Sequence, residues 1–370
     1  MQKLVMGGFF SIDVDSKRVF GLDFLRAFAI FCVLFGHAGF FLDGTSIEWI
    51  TDMPKPRGVD IFFIMSGFLI GKSFISYIEK NNGLGRKKIL HFYARTALRI
   101  LPNYLVILLV YYVLVHWQVI PGNTKALPIW RFATLTQNIF TPFWGFYWES
   151  WSLSVQWWFY IFFPLLLMFF CHFSKPGKFI PWMCVFFVVF SMAYRFYVSD
   201  MVTDSFRWDV WIRKTVASRT DNIYIGVLAV WVMHYFREKW ERYSVASFVV
   251  GTVIFAFSLM IPHDIGSFMY NIVYLTLAAL AIAFWMPLFT RWRTYKTRLG
   301  GFISRISILS YSMFLTNLGV AMIMRNVFPD FVHTHGIWTF VIYWPAVLAI
   351  SYLLHIFVEK PFMKIRENII

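Results

Sequence analysis

Residues 21–42 read GLDFLRAFAIFCVLFGHAGFFL, an apolar run of membrane-spanning length that is interrupted by Asp23, Arg26 and His37. Arg26 and His37 are eleven residues apart. That is about three turns of an α-helix, so the two side chains share one face and lie about 16 Å apart along its axis. A cation and an imidazole are costly to place in hydrocarbon, and both are predicted to face a bundle interior or a wet cavity. This face is therefore the first candidate for a functional site.

The composition excludes an ordinary soluble domain. Of 370 residues, 59% are hydrophobic and 21% aromatic, whereas 14% are charged against about 25% in soluble proteins. The first apolar run carries Arg26 and has no small-residue cleavage pattern after it, so we expect it to stay as a helix instead of being removed as a signal peptide. Cys32, Cys171 and Cys184 lie in or beside apolar runs and are predicted to be reduced packing residues.

Ten apolar runs are each about long enough to cross a bilayer. They predict an all-α, polytopic membrane protein whose helices form one bundle and a single domain over residues 1–370. The runs lie near residues 20–42, 58–78, 97–118, 151–173, 179–198, 220–236, 244–262, 267–290, 302–324 and 337–358. The VEKPF sequence at 358–362 is expected to end the tenth helix at Pro361, with its charges in solvent.

The formal net charge of +15 is interpreted as membrane topology instead of nucleic-acid binding. With the N-terminus inside, 23 Lys and Arg residues fall on the inner side of the alternating runs and ten on the outer side, and Arg26 belongs to neither. Lys3, Lys17 and Lys296 are among the inner set. The positive-inside rule therefore predicts that both termini are cytoplasmic.

Five stretches, spread from residue 20 to residue 362, resemble one known family. They are LDFLRAFAIFCVLFGH at 22–37, GVDIFFIMSGFLI at 58–70, FYARTALRILPNY at 92–104, WSLSVQWWFYIFFP at 151–164 and VEKPF at 358–362. In this order they are similar to the bacterial membrane acyltransferase 3 family. The resemblance implies transfer of an acyl group, commonly acetyl, from cytoplasmic acyl-CoA to an extracytoplasmic glycan or small molecule. Many relatives carry a fused SGNH domain, which this sequence is not expected to contain.

Three arginines are predicted to bind the coenzyme A phosphates. Arg26 lies about two turns into the first helix from the predicted cytoplasmic side. Arg95 and Arg99 are expected to begin the third helix on that same side, where their i,i+4 spacing presents two guanidinium groups together. Bidentate donors of this kind suit phosphates. The alternative is that Arg95 and Arg99 are ordinary positive-inside anchors.

His37 is the candidate catalytic residue, because transfer to a hydroxyl needs a base near neutral pH and an unperturbed imidazole has a pKa of about 6.5. It could deprotonate the acceptor or carry the acyl group transiently, and the sequence leaves both routes open. The alternative is a structural histidine that is hydrogen-bonded inside the bundle.

The fourth helix is predicted to place polar residues at the level of His37. Trp151 and Ser154 are candidates for binding the acceptor. Relatives usually read WSLSVE, so Gln156 stands where the resemblance implies an acidic residue that orients or stabilises the imidazole. An amide supplies no negative charge. The sequence leaves open whether the glutamine is natural variation or an introduced Glu→Gln change.

Further polar residues are predicted near the outer mouth of the bundle. Asp60 begins the second helix and is an additional catalytic candidate, while Arg219 and Asp221 begin the sixth and are candidates for binding the acceptor; a structural ion pair is the alternative. Asn317 ends the SYSMFLTN stretch where relatives often have histidine, and it is also predicted to contact the acceptor. The sequence predicts no metal site.

The combined prediction is an O-acetyltransferase of the bacterial inner membrane. Acetyl-CoA would be a co-substrate instead of a permanent cofactor, and the acceptor would be a glycan such as O-antigen, lipopolysaccharide or another surface polysaccharide. Membrane lipid is the expected surrounding partner, nucleic acid is not, and the oligomeric state stays open. The alternative is a transporter with a buried polar pathway, although two corresponding helices interrupted by Gly or Pro are missing.

Overall fold

The computed structural model describes residues 12, 14–15, 18–142, 144–295 and 297–368. Over these ranges the chain is helical and has no β-strand, which confirms the all-α prediction. Lys3, Lys17 and Lys296, which were predicted on the cytoplasmic side, lie outside the described residues. The cytoplasmic location of both termini stays a prediction.

Ten principal helices, α1–α10, follow the ten predicted runs. Their bounds are α1 Phe20–Ala38, α2 Gly58–Asn81, α3 Arg86–His116, α4 Ser150–Cys171, α5 Pro176–Val198, α6 Val216–Tyr235, α7 Ser244–Met260, α8 Tyr274–Arg291, α9 Arg298–Val327 and α10 Gly336–Leu354. A π-helical turn, His355–Glu359, joins α10 to the amphipathic helix α11, Lys360–Asn368. Shorter helical turns include Glu48–Asp52, Ile129–Ala133, Trp208–Arg213 and Pro329–Thr334.

Two of the predicted boundaries are wrong. The third helix begins at Arg86 and not near residue 97, so Arg95 and Arg99 lie within α3 and not at its start. The first half of this helix is basic and amphipathic, so its low hydropathy hides it from a search for apolar runs. It is helical nonetheless, because no proline or glycine interrupts residues 86–101. Pro361 does not stop the chain's last helical segment, because α11 directly follows the π-helical turn His355–Glu359 and the helix continues to Asn368.

In the described part of the chain, eight helical segments are long and apolar enough to cross a membrane, which confirms a polytopic membrane protein. The two principal helices that fall short are α6, which carries buried charges, and α7, which has 17 residues. The helix α2 is one of the eight, and it contacts α6 near both ends, through Asp60–Arg219 at one end and Glu79–His234 at the other. The helix α6 therefore runs alongside most of a helix that is long enough to cross a membrane. The count of ten spans stays a prediction that this packing supports.

The structure divides into two compact units, each built from separate stretches of the chain. The first contains the described residues up to Lys55, residues Ala94–Pro121 and those from Trp292 onward; the second contains Pro56–Tyr93 and Gly122–Arg291. The prediction of a single domain is not decided by this division and stays a prediction.

In the first unit, α9 packs against both α1 and α10. Residues 23 and 37 of α1 meet residues 307 and 317 of α9 in the same order, so these two helices are parallel. Thr316 meets Ser351, and Ser312 meets Glu359, so α10 runs antiparallel to α9. This agrees with the predicted topology, in which successive spans alternate in direction, so that the first and ninth helices run the same way and the tenth runs the opposite way.

Glu359 closes a buried polar network in this unit. Its Oε2 accepts a hydrogen bond from Ser312 Oγ at 2.8 Å and lies 3.0 Å from the Nδ1 of His355. The side chain is 8% exposed. The prediction that this charge is solvated is therefore wrong, because the π-helical turn directs Glu359 onto α9.

In the second unit, α6 is the central helix and packs against α2, α4, α5 and α8. The contact with α2 is close because Gly67 and Gly226 bring the backbones together. A Cβ atom on Gly67 would overlap the carbonyl oxygen of Ile223, and one on Gly226 would overlap that of Ile64. Small residues of this kind allow close helix packing inside a membrane.

Candidate functional site

His37 and Asn317 form a hydrogen-bonded pair between α1 and α9. The imidazole Nδ1 lies 2.5 Å from Asn317 Oδ1. Asn317 is fully buried, and its amide Nδ2 donates to the backbone oxygens of Met313 at 3.1 Å and Phe314 at 2.6 Å. His37 itself is partly exposed. The asparagine is thus held in place by its own helix while it contacts the imidazole.

This contact fixes the tautomer of His37. Because Asn317 Nδ2 is engaged by two carbonyl oxygens, the amide oxygen is the atom that faces the imidazole, and an amide oxygen only accepts. Nδ1 of His37 therefore carries a hydrogen, and in the neutral ring Nε2 has the lone pair. A nitrogen in this state can take a proton from a hydroxyl group or attack a thioester carbonyl.

The start of α1 is fixed to α9 by a buried carboxylate. Asp23 forms an ion pair with Arg18 and accepts a hydrogen bond from Ser307 Oγ at 2.9 Å. Arg18 also donates to Ser307 Oγ at 3.1 Å. Arg26, one turn further along α1, is partly buried. The Asp23 contacts orient the helix that carries both Arg26 and His37.

Arg95 and Arg99 lie one turn apart on α3, with Arg95 partly buried and Arg99 exposed. Arg366 on α11 is close enough to feel the charges of both. This third arginine was not singled out from the sequence, because the predicted end of the last helix placed it in solvent. Arg26, His37, Arg95, Arg99 and Asn317 all belong to the first unit.

On α4, Gln156 joins two of the sequence motifs in the second unit. Its Oε1 accepts hydrogen bonds from Tyr160 Oη at 3.1 Å and from Ser66 Oγ at 3.4 Å. A glutamate at position 156 could accept the same two bonds while adding a negative charge.

The other candidates on α4 are engaged in structural contacts. Ser154 is fully buried and donates to the backbone oxygen of Leu135 at 2.6 Å. Trp151 is buried, lies edge-on to Phe63 and lies 5.9 Å below the guanidinium of Arg213. Their predicted roles in acceptor binding stay predictions.

Arg219 and Asp221 have separate partners and do not form the expected common pair. Two residues along a helix differ by about 200°, so they face opposite sides of α6. Arg219 pairs with Asp60 of α2, whereas Asp221 pairs with Arg195 of α5. Both pairs are buried. Both are structural contacts, but their partners differ from the predicted alternative of one ion pair and a separate helix-start carboxylate at Asp60. Their predicted roles at the site stay predictions.

Asp221 is further satisfied by a hydrogen bond from Thr276 Oγ1 at 2.6 Å. Arg195 also donates to Thr276 Oγ1 at 3.0 Å and to the backbone oxygen of Ile272 at 2.9 Å. No local pattern in the sequence reveals that Arg195 is a buried partner.

An apolar groove of about 470 Å³ runs along α1 in the first unit. It is lined by Phe24, Phe28, Phe31 and Leu34 of α1, Ile306 and Met313 of α9 and Trp344 of α10, among others. Leu34 and Met313 each lie about one turn before His37 and Asn317. The lining presents almost no polar surface, so the groove suits hydrocarbon.

Comparisons with known proteins connect this arrangement to one chemistry. The sequence profile described as an acyltransferase domain matches residues 19–356, which includes both units of the structure. The chain is 29% identical over 176 residues to the peptidoglycan O-acetyltransferase OatA of Listeria monocytogenes, covering 44% of this chain and 26% of that protein. It is 27% identical over 171 residues to the O-acetyltransferase OatA of Staphylococcus aureus, covering 43% and 26%.

The chain therefore aligns with about a quarter of the length of these curated relatives. No solved structure matches it.

Proposed function

Because the chain belongs to the acyltransferase family whose profile matches residues 19–356, we propose that it is a membrane O-acetyltransferase. It transfers acetyl from cytoplasmic acetyl-CoA to a hydroxyl group of an extracytoplasmic glycan, and it resides in the bacterial inner membrane. The acceptor is O-antigen, lipopolysaccharide or another surface polysaccharide. Two of its relatives are O-acetyltransferases, which supports acetyl as the acyl group.

The single observation that carries this proposal is the fixed tautomer of His37. Nε2 takes the proton of the acceptor hydroxyl, and the oxygen attacks the thioester carbonyl. The C–S bond then breaks, the acetyl ester forms, and the coenzyme A thiolate takes the proton from the imidazolium. Asn317 Oδ1 accepts from the Nδ1–H throughout and so stabilises the charged ring.

A second route uses the same nitrogen as a nucleophile. Nε2 attacks the thioester, and coenzyme A leaves as the thiolate. The acceptor oxygen then takes the acetyl group from the acetylimidazolium, the hydroxyl proton passes to the thiolate, and the neutral imidazole is restored. The hydrogen bond to Asn317 serves both routes, because each requires a lone pair on Nε2.

The donor is held by cations of the first unit. Arg26, Arg95 and Arg99 bind the phosphates of acetyl-CoA, and Arg366 adds charge beside the α3 pair. Asp60 and Gln156 assist the transfer. Gln156 stands where the family usually has an acidic residue. Trp151, Ser154, Arg219, Asp221 and Asn317 contribute to the acceptor side.

The test is acetyl-CoA turnover by the purified full chain in detergent, measured as release of free thiol with and without a crude surface-glycan fraction. We expect glycan-stimulated thiol release that falls by about 10²–10⁴-fold in His37→Ala, the range that a general base contributes. His333→Ala, on the short helix Pro329–Thr334, is the matched control and should keep the wild-type rate. Equal rates for His37→Ala and wild type would overturn the assignment of His37.

A further inference from the structure

Arg57 lies immediately before α2 in the second unit and is held between two aromatic rings. Its guanidinium carbon is 4.8 Å from the centroid of Tyr274 and 5.3 Å from that of Trp208. Trp208 in turn stacks on Tyr270, with centroids 4.6 Å apart and nearly parallel planes. Cation–π contacts of this kind fix the position of a guanidinium without neutralising it.

The carboxylates around Arg57 are engaged by other cations. Asp60 pairs with Arg219. Asp209 is shared between Arg213 and Lys214, with Lys214 Nζ at 2.5 Å. Among the described residues, no carboxylate forms an ion pair with Arg57. The charge of this guanidinium is therefore not compensated by an ion pair, and Arg213 and Arg219 are two further cations close enough to act on it.

Several buried N–H groups next to Arg57 also have no acceptor. They are Nη1 of Arg57, Nε and Nη1 of Arg219, and Nε1 of Trp208. Arg219 is fully buried and uses only Nη2, toward Asp60. Native proteins rarely bury a donor without a partner, so each such group calls for a ligand, a water or an ion. One oxygen, Oδ2 of Asp60, is also unmatched, but the four N–H groups outnumber it in a place of excess positive charge.

Electrostatics point the same way. Burial lowers the pKa of Arg57; Tyr274 and Asp60 oppose that shift, while Arg213 and Arg219 add to it. Burial likewise lowers the pKa of Lys214, and Asp209 opposes it. A bound anion would relieve the repulsion between these groups and would accept from the unmatched donors.

We propose that Arg57, Arg219 and Trp208 form a binding site for an oxyanion, a carboxylate or phosphate that belongs to the acceptor glycan or to its lipid carrier. The proposal rests on the proposed function and deepens it, because it makes the acceptor an anionic glycan or a lipid pyrophosphate. The faces of Trp208, Tyr270 and Tyr274 add apolar surface on which a sugar ring can stack.

Calorimetric titration of the purified full chain tests this site with two matched pairs of probes. N-acetylmuramic acid is compared with N-acetylglucosamine, and farnesyl pyrophosphate with farnesol. We expect one acidic probe to bind at least about tenfold more tightly than its neutral partner, since a charged hydrogen bond of this kind corresponds to about a tenfold to hundredfold change in affinity. The pair that shows the difference identifies the source of the oxyanion.

Arg57→Ala should remove that difference, and Arg57→Lys should restore part of it because the charge is retained. Trp208→Phe keeps an aromatic ring but loses the indole N–H, so it should weaken the binding of the acidic probe and leave that of the neutral probe unchanged. Arg207→Ala is the control, since Arg207 lies on the same loop with an exposed side chain that pairs with exposed Asp204. Thermal unfolding of each variant shows whether it is folded. If Arg57→Ala does not fold, Arg57→Lys and Trp208→Phe still test the proposal.

The proposal is overturned if no acidic probe binds better than its neutral partner, or if Arg57→Ala binds the acidic probe as wild type does. In either case the unmatched donors are satisfied by water. Because the titration contains no acetyl-CoA, its outcome is independent of thiol release. A failed acetyl transfer with intact anion binding would contradict the proposed function alone.

Discussion

His37 shows at the scale of one residue what the sequence can and cannot reveal. Its place in an apolar run marks it as a functional candidate, because a titratable group is costly in hydrocarbon. Its partner could not be found in this way, since Asn317 is 280 residues distant. Asn317, which stands where relatives often have histidine, is predicted from the sequence to contact the acceptor, whereas in the structure it contacts the imidazole.

Replacing Asn317 tests whether the tautomer of His37 matters. In Asn317→Ala the imidazole loses its oriented acceptor, and we expect kcat for thiol release to fall by about tenfold or more, within the 10²–10⁴-fold that the base itself contributes. Asn317→Asp keeps an acceptor oxygen in place and should retain more activity than the alanine variant. Equal kcat values for Asn317→Ala and wild type would show that another group orients the imidazole.

Gln156 is the second residue whose chemistry can be tested directly. In Gln156→Glu the hydrogen bonds from Ser66 and Tyr160 can persist, and the added carboxylate matches the residue that relatives carry. We expect the glutamate variant to release thiol faster than the present chain, measured with the same acceptor. Gln156→Ala is the paired control and should be slower than Gln156→Glu; identical rates for all three would exclude a role for this side chain.

At the scale of elements, the apolar runs predicted the positions of the ten principal helices, but the structure shows why hydropathy alone misjudged some of them. The first half of α3 is helical although it is basic, because amphipathic helices need only one apolar stripe. The central helix α6 has a lower hydropathy than the other spans because it carries Arg219, Asp221 and Asn222. These three residues are buried. Long-range partners such as Arg195 determine these features, and no local window contains them.

The α2–α6 contact makes a prediction at this scale. Gly67→Ala places a methyl group on the backbone of α6, so the helices must separate, and overpacking of this kind costs about 1–3 kcal/mol. We expect a lower melting temperature by differential scanning fluorimetry. Gly36→Ala is the matched control, because a Cβ atom there meets nothing within 4 Å and alanine stabilises a helix relative to glycine. A melting temperature for Gly67→Ala equal to that of Gly36→Ala would contradict the close packing.

At the scale of the whole molecule, composition and helix-length runs were sufficient to predict an all-α membrane protein. The motif order was sufficient for the acyltransferase family, which the match over residues 19–356 confirms. The pairing of polar residues was not predictable, because it depends on which helices pack within each unit. The sequence placed Asp60, Arg219 and Asp221 together, whereas the structure distributes them over two separate ion pairs.

The central claim is that acetyl passes from acetyl-CoA on one side of the membrane to a glycan on the other, with His37 required. The most direct measurement uses proteoliposomes that enclose acetyl-CoA labelled in the acetyl group, with peptidoglycan fragments or another surface glycan outside. We expect hydroxylamine-labile label on the external glycan for wild type and none for His37→Ala. Label that appears only when donor and acceptor share one compartment, or equally with His37→Ala, would exclude transfer across the membrane through His37.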